Sequence, residues 1–178
     1  MAKLLLSLHV LAAILTVGPI TVAASLFPRY ARQAAATHAE TEAPPGLEPE
    51  HVPGAEAVRS GAIAATLHRI CRGYAAVGIA VPVFGLATGA QLGVLTDAWL
   101  LASLALTALA AALLVVVILP RQEDLLPEDP PAERRASGPG REVRALAARL
   151  AMSTGVFNVL WAVVVVLMIV RPGSTTSA

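Results

Sequence analysis

Cysteine is almost absent: Cys71 stands alone among 178 residues. No intrachain disulfide can form, and no cluster of thiolates can hold a metal. Charge is scarce as well, at 14% of residues, where a soluble domain carries about 25%. The net charge is only +1, so there is no basic surplus to neutralise phosphates, and nucleic acid is excluded as a partner. Aromatic residues make up 4%. The familiar motifs of soluble enzymes are missing too: no glycine-rich phosphate loop, no serine nucleophile elbow and no paired-histidine zinc motif can be found. The sequence therefore assigns no catalytic residue and no metal ligand set.

What is abundant is apolar sequence. Hydrophobic residues are 56% of the chain and the mean hydropathy is +0.70. Four runs are long enough to cross a hydrocarbon core of about 30 Å, which takes roughly 20 helical residues. They cover residues 4–26, 74–92, 98–119 and 150–170. Each is continuous rather than alternating, which suits helices and not barrel strands. The expected fold is all-α, a single integral membrane domain over residues 1–178 built as a four-helix transmembrane bundle, with lipid as its first partner.

Orientation follows from arginine. Arg29, Arg32, Arg59, Arg69 and Arg72 lie between the first two spans, and Arg121, Arg134, Arg135, Arg141, Arg144 and Arg149 between the last two. The "GVLTD" turn between spans two and three has no basic residue. The positive-inside rule places loops 27–73 and 120–149 in the cytoplasm and both termini outside, in a multi-pass protein of the plasma membrane. Lys3, the apolar run and "VAA" at 22–24 also resemble a secretory signal. Cleavage there would leave both arginine-rich loops outside, so residues 1–24 are expected to remain as the first span. Both loops contain stretches rich in proline, glutamate and glycine, "ETEAPPGLEPEHVPG" and "PRQEDLLPEDPPAERRASGPG". They read as linkers open to protein partners, because they have almost nothing to bury. Helical lead-ins follow each of them, the first presenting Ile63, Leu67, Ile70 and Tyr74 as an apolar stripe.

Small residues suggest how the spans meet. Gly85, Gly89 and Gly93 repeat at four-residue spacing in span two, with Gly78 and Ala80 before them, and span three offers Ala102, Ser103, Ala105, Ala108 and Ala112. The short turn between these spans predicts an antiparallel hairpin, and the glycine face is the candidate surface for a homodimer. Pro19 and Pro82 are expected to kink their helices. Trp99 and Tyr74 read as headgroup-level boundary residues. Trp161 reads as filling inside span four, with an indole N–H that needs an acceptor, and Asn158 as an interhelical hydrogen bonder.

His9 is the ionisable group within the first apolar run, and such groups are functional candidates. At 1.5 Å per residue it sits roughly 8 Å below the edge of the core. Asp97 and Ser103 are its candidate polar partners. Three roles are open: a neutral packing histidine, a cofactor ligand for haem b or a metal, and a step in a proton or small-solute pathway with Asp97. A haem held by two histidines is ruled out with His68, which lies roughly 30 Å away across the bilayer. His38 and His51 fall in the loop.

The segments "KLLLSLHVLAAILTVGPITVAASLFPRYAR", "LHRICRGYAAVGIAVPVFG" and "TGVFNVLWAVVVVLMIVRPGS" together resemble a group of small actinobacterial four-span integral membrane proteins, a group that carries no assigned activity. More remotely, Leu8-His9 and the small residues after it are similar to the first span of the copper-resistance D and membrane protoporphyrinogen-oxidase families. That likeness implies haem or metal at His9 alone. Val17-Gly18-Pro19 stands where those families show tryptophan and glycine, and no second ligand residue lies on another span. The leading expectation is a non-enzymatic membrane component; the rivals are a haem- or metal-binding redox protein using His9 and a proton-coupled or small-solute transporter.

Overall fold

A computed structural model describes residues 1–41, 53–126 and 139–173. Most of both proline-rich stretches lies outside the described residues, as do His51 and the side chain of His38. The described residues are all helical or turn: α1 (Ala2–Thr41), α2 (Pro53–Val77), α3 (Ala80–Leu92), α4 (Ala98–Ala112), a π-helical stretch (Leu113–Ile118), α5 (Leu119–Asp124) and α6 (Pro139–Val170). Four helical spans are long and apolar enough to cross a membrane: Ala2–Ala36, Ala55–Leu92, Ala98–Asp124 and Glu142–Val170. The protein is an all-α, multi-pass membrane bundle. One end carries the start of α1, the end of α6 and the tight α3–α4 turn; the other carries the end of α1, the start of α2, α5 and the start of α6.

The spans run up and down, α1 against α2 and α3, α6 against α1, and α4 against α6. The shared core is Ile20, Ala23, Ala24, Phe27 and Ala31 of α1, Ala64 and Cys71 of α2, Ala110, Leu114 and Ile118 of the third span, and Leu150 and Phe157 of α6. Large aliphatic side chains such as Leu11, Ile14, Val22, Val83, Leu109, Val116 and Ile169 are exposed. In water that would be unfavourable, whereas a lipid-facing surface is as apolar as its solvent.

Several expectations change. The helix that carries the first span continues past residue 26 to Thr41, and α2 begins at Pro53. Much of the 27–73 loop is helical, and among the described residues α1 packs more extensively against α2 than any other pair of helices does. The inward residues on α2 are Ala57, Gly61, Ala64, His68 and Cys71. The Ile63, Leu67, Ile70 stripe lies only half-buried beside them, since close backbone approach favours small residues over large ones.

Proline acts as chemistry requires. α1 runs through Pro19 and Pro28. In the second span the break falls at Gly78-Ile79, between α2 and α3, one turn before Pro82. Pro82 has no N–H for the Gly78 carbonyl and its ring crowds that oxygen; Val81 N–H takes the acceptor instead, at 3.1 Å.

The expected hairpin of spans two and three closes correctly at its turn but does not pack along its length. Gly93 adopts a left-handed φ of 69° and its N–H bonds back to Ala90, while Val94 N–H reaches the Gly89 carbonyl, a helix end that glycine serves without strain. Beyond that, α3 lies on α1 and α4 on α6. Ala102, Ala105, Ala108 and Ala112 face outward, and the buried residues of the third span are instead Trp99, Leu100, Ser103, Ala110, Leu114, Ile118 and Gln122.

The π-helical stretch has a local cause and a clear effect. Pro120 cannot donate to the Val116 carbonyl and would crowd it, and Leu119 N–H closes a wider ring onto Leu114. An α-helix advances about 100° per residue, so a four-residue spacing drifts round the helix. The wider turn absorbs that drift. Ala110, Leu114, Ile118 and Gln122, each four apart, are consequently all buried.

Candidate functional site

His9 is half-buried on α1 and turned toward α3. Its Nδ1 lies 2.8 Å from the Val81 carbonyl. A carbonyl only accepts, so Nδ1 carries a proton, and in the neutral ring Nε2 is then the nitrogen with the lone pair. The imidazole fills the space over Gly85, where a Cβ would stand 2.9 Å from Cε1 and 3.2 Å from Nδ1. The missing side chain at Gly85 is what admits the ring.

Asp97 and Ser103 do not complete this site. Asp97 Oδ2 accepts the indole N–H of Trp99 at 3.0 Å, and Ser103 Oγ donates to the Trp99 carbonyl at 2.8 Å. His9 and Asp97 are thus bonded to different partners. Trp99 is only 6% exposed, and the Arg171 guanidinium sits over its face, 5.5 Å from the centroid. Arg171 itself has a left-handed φ of 45°. The end of α6 is clasped to the start of α4 by this stack.

The glycines divide their work. Gly89 makes room for Leu100 and Leu95, which a Cβ would meet at 3.0 and 3.1 Å. The face that spacing suggests for a homodimer is therefore filled within the chain at Gly85 and Gly89, and Gly93 serves the turn.

A second polar constellation, which sequence reasoning missed, lies at the long-loop end. Gln122 of α5 is fully buried, and its Nε2–H points at the Cys71 thiol at 3.6 Å. That orientation turns Oε1 toward His68, whose Nδ1–H donates at 3.2 Å. Cys71 lies 4.0 Å from the Ile20 carbonyl. His68 and Cys71 are three apart on one helix, a visible signal; Gln122 enters only because the π turn aims it inward. The group ties the first three spans together, and Arg121 extends the link to α6 through Ser153 at 3.1 Å. Cys71 is consequently a bonded interior thiol, shielded from reaction by burial.

Beyond it, between α1 and α2, a cavity of about 330 Å³ is lined by Tyr30, Gln33, Glu56, Arg59, Ser60 and Ile63. Arg29 stacks on the Tyr30 ring at 6.0 Å. On α6, Asn158 Nδ2 reaches Ser25 Oγ of α1 at 3.4 Å, the interhelical role expected of it, and Trp161 meets Phe157 edge to face at 6.3 Å.

Among the described residues no group of three or more His, Cys, Asp and Glu is placed to hold a metal ion. Against known proteins, no family model matches this sequence, and no curated protein or solved structure is significantly similar to it. Its function must be argued from these side chains.

Proposed function

We propose that the chain is a non-enzymatic component of the plasma membrane, with its termini outside and its long connections in the cytoplasm, where they engage protein partners. The observation that carries this reading is the use made of His9. Its one proton goes to a backbone carbonyl of a neighbouring span and its ring fills the gap over Gly85, so it works as a helix clasp. The arginine distribution supports the orientation. The polar cavity beside Arg59 and the α1–α2 hairpin supply a surface at the cytoplasmic end.

A second reading has one specific support. A histidine that binds metal commonly donates its other ring N–H to a backbone carbonyl, which fixes the tautomer. His9 has that arrangement, with Nε2 as the open nitrogen, and could offer a single axial ligand to haem b or one ligand to copper.

One experiment separates the two. Purified protein from cells supplied with haem precursor is scanned for a Soret band and melted in detergent, beside His9→Ala. A clasp gives no band in either sample and a lower melting temperature in the variant. A stoichiometric band lost in the variant sinks the first reading and establishes the second.

A further inference from the structure

Six polar residues are buried among those described: Thr16, His68, Thr88, Ser103, Gln122 and Thr154. Thr16, Thr88 and Ser103 donate to the carbonyl four residues back, and His68 and Gln122 bond one another. Thr154, 2% exposed, has a buried Oγ1 with no partner. Two further orphans share its helix, Asn158 Oδ1 and Trp161 Nε1. Positions 154, 158 and 161 fall on one face of α6. A buried polar atom without a partner is strongly unfavourable in an apolar interior, and three in one line are not chance packing.

We infer that this face of α6 is a hydration site, a short file of bound water entering between α1 and α6 at Ser25. The chemistry matches water: a hydroxyl, an amide acceptor and an indole donor offer both kinds of hydrogen bond and no charge. Each orphan atom has almost no accessible surface in this packing, so a water reaches it only as the neighbouring side chains shift, and nothing larger can follow. An entry exists. Ser25 is exposed and lies only four residues from Arg29, and Asn158 holds it by a long 3.4 Å contact that the amide can release by turning inward.

The test uses the full chain in nanodiscs with ¹⁵N-labelled tryptophan, its two indole resonances assigned by Trp99→Phe. The Trp161 N–H should show a cross-peak to water that Thr154→Val and Asn158→Leu weaken severalfold and Asn158→Ser retains. Both apolar variants should also melt lower than the parent. Absence of the cross-peak overturns the inference, as does a cross-peak indifferent to all three substitutions. Apolar variants that melt higher than the parent overturn it too, since they would show dry, unpartnered groups.

Discussion

The imidazole of His9 and the bare α-carbon of Gly85 share one contact, so close that a methyl group on Gly85 would lie 2.9 Å from the ring. The two residues therefore form a unit. In the parent, Gly85→Ala gains about 1 kcal/mol of helix propensity but forces a clash of about 1–3 kcal/mol, and should lower thermal stability. In a His9→Ala background the clash is gone, and the same substitution should raise stability. Melting curves of the four proteins decide it; equal effects in both backgrounds would mean that the ring does not occupy that space.

Gln122 bonds His68 with one end of its amide and Cys71 with the other. Gln122→Ala strips His68 of its acceptor and Cys71 of its donor, and should cost about 1–3 kcal/mol. It should also open a route to the thiol, so that Cys71 reacts faster with a membrane-permeant maleimide. Unchanged labelling and an unchanged melting curve would remove this group from the bundle's support.

The π-helical stretch holds one more residue than an α-helix of the same rise needs. Deleting Val116 should convert it to α-helix with Gln122 still facing inward. Deleting Leu106 from regular helix should instead rotate the following half by about 100°. Protection of Cys71 from maleimide, expected in the first deletion and lost in the second, is the readout.

Arg171 sits in the left-handed region, φ 45°, while its guanidinium covers Trp99. Arg171→Ala keeps the backbone strain and loses a contact of about 0.5–1 kcal/mol. Arg171→Gly loses the same contact but relieves about 1 kcal/mol of strain. The glycine variant should thus melt above the alanine variant and close to the parent.

Hydropathy alone located the four spans, because crossing lipid demands long apolar helices whatever the neighbours are. Neighbour choice was less legible. The small residues of α2 that meet α1, from Ala57 to Cys71, were overshadowed by the larger Ile63, Leu67 and Ile70 one step round the helix. Trp99 obeys a general preference of indole for interfaces until Arg171, seventy-two residues later, covers it. His9 was legible as a polar group needing a partner, but its partner is a backbone carbonyl, which has no letter in the sequence. Gln122 could not be found by α-periodicity, since its inward aim depends on the π turn before Pro120.

The forty residues of α1 measure about 60 Å at 1.5 Å per residue, against roughly 40–45 Å for a whole bilayer with its headgroups. An α1 that starts at the outer headgroups and stands upright would project about 15 Å beyond the lipid at its far end, on a post that α2 braces along its side. A partner recruited there would meet a platform of defined height rather than a tether of variable reach.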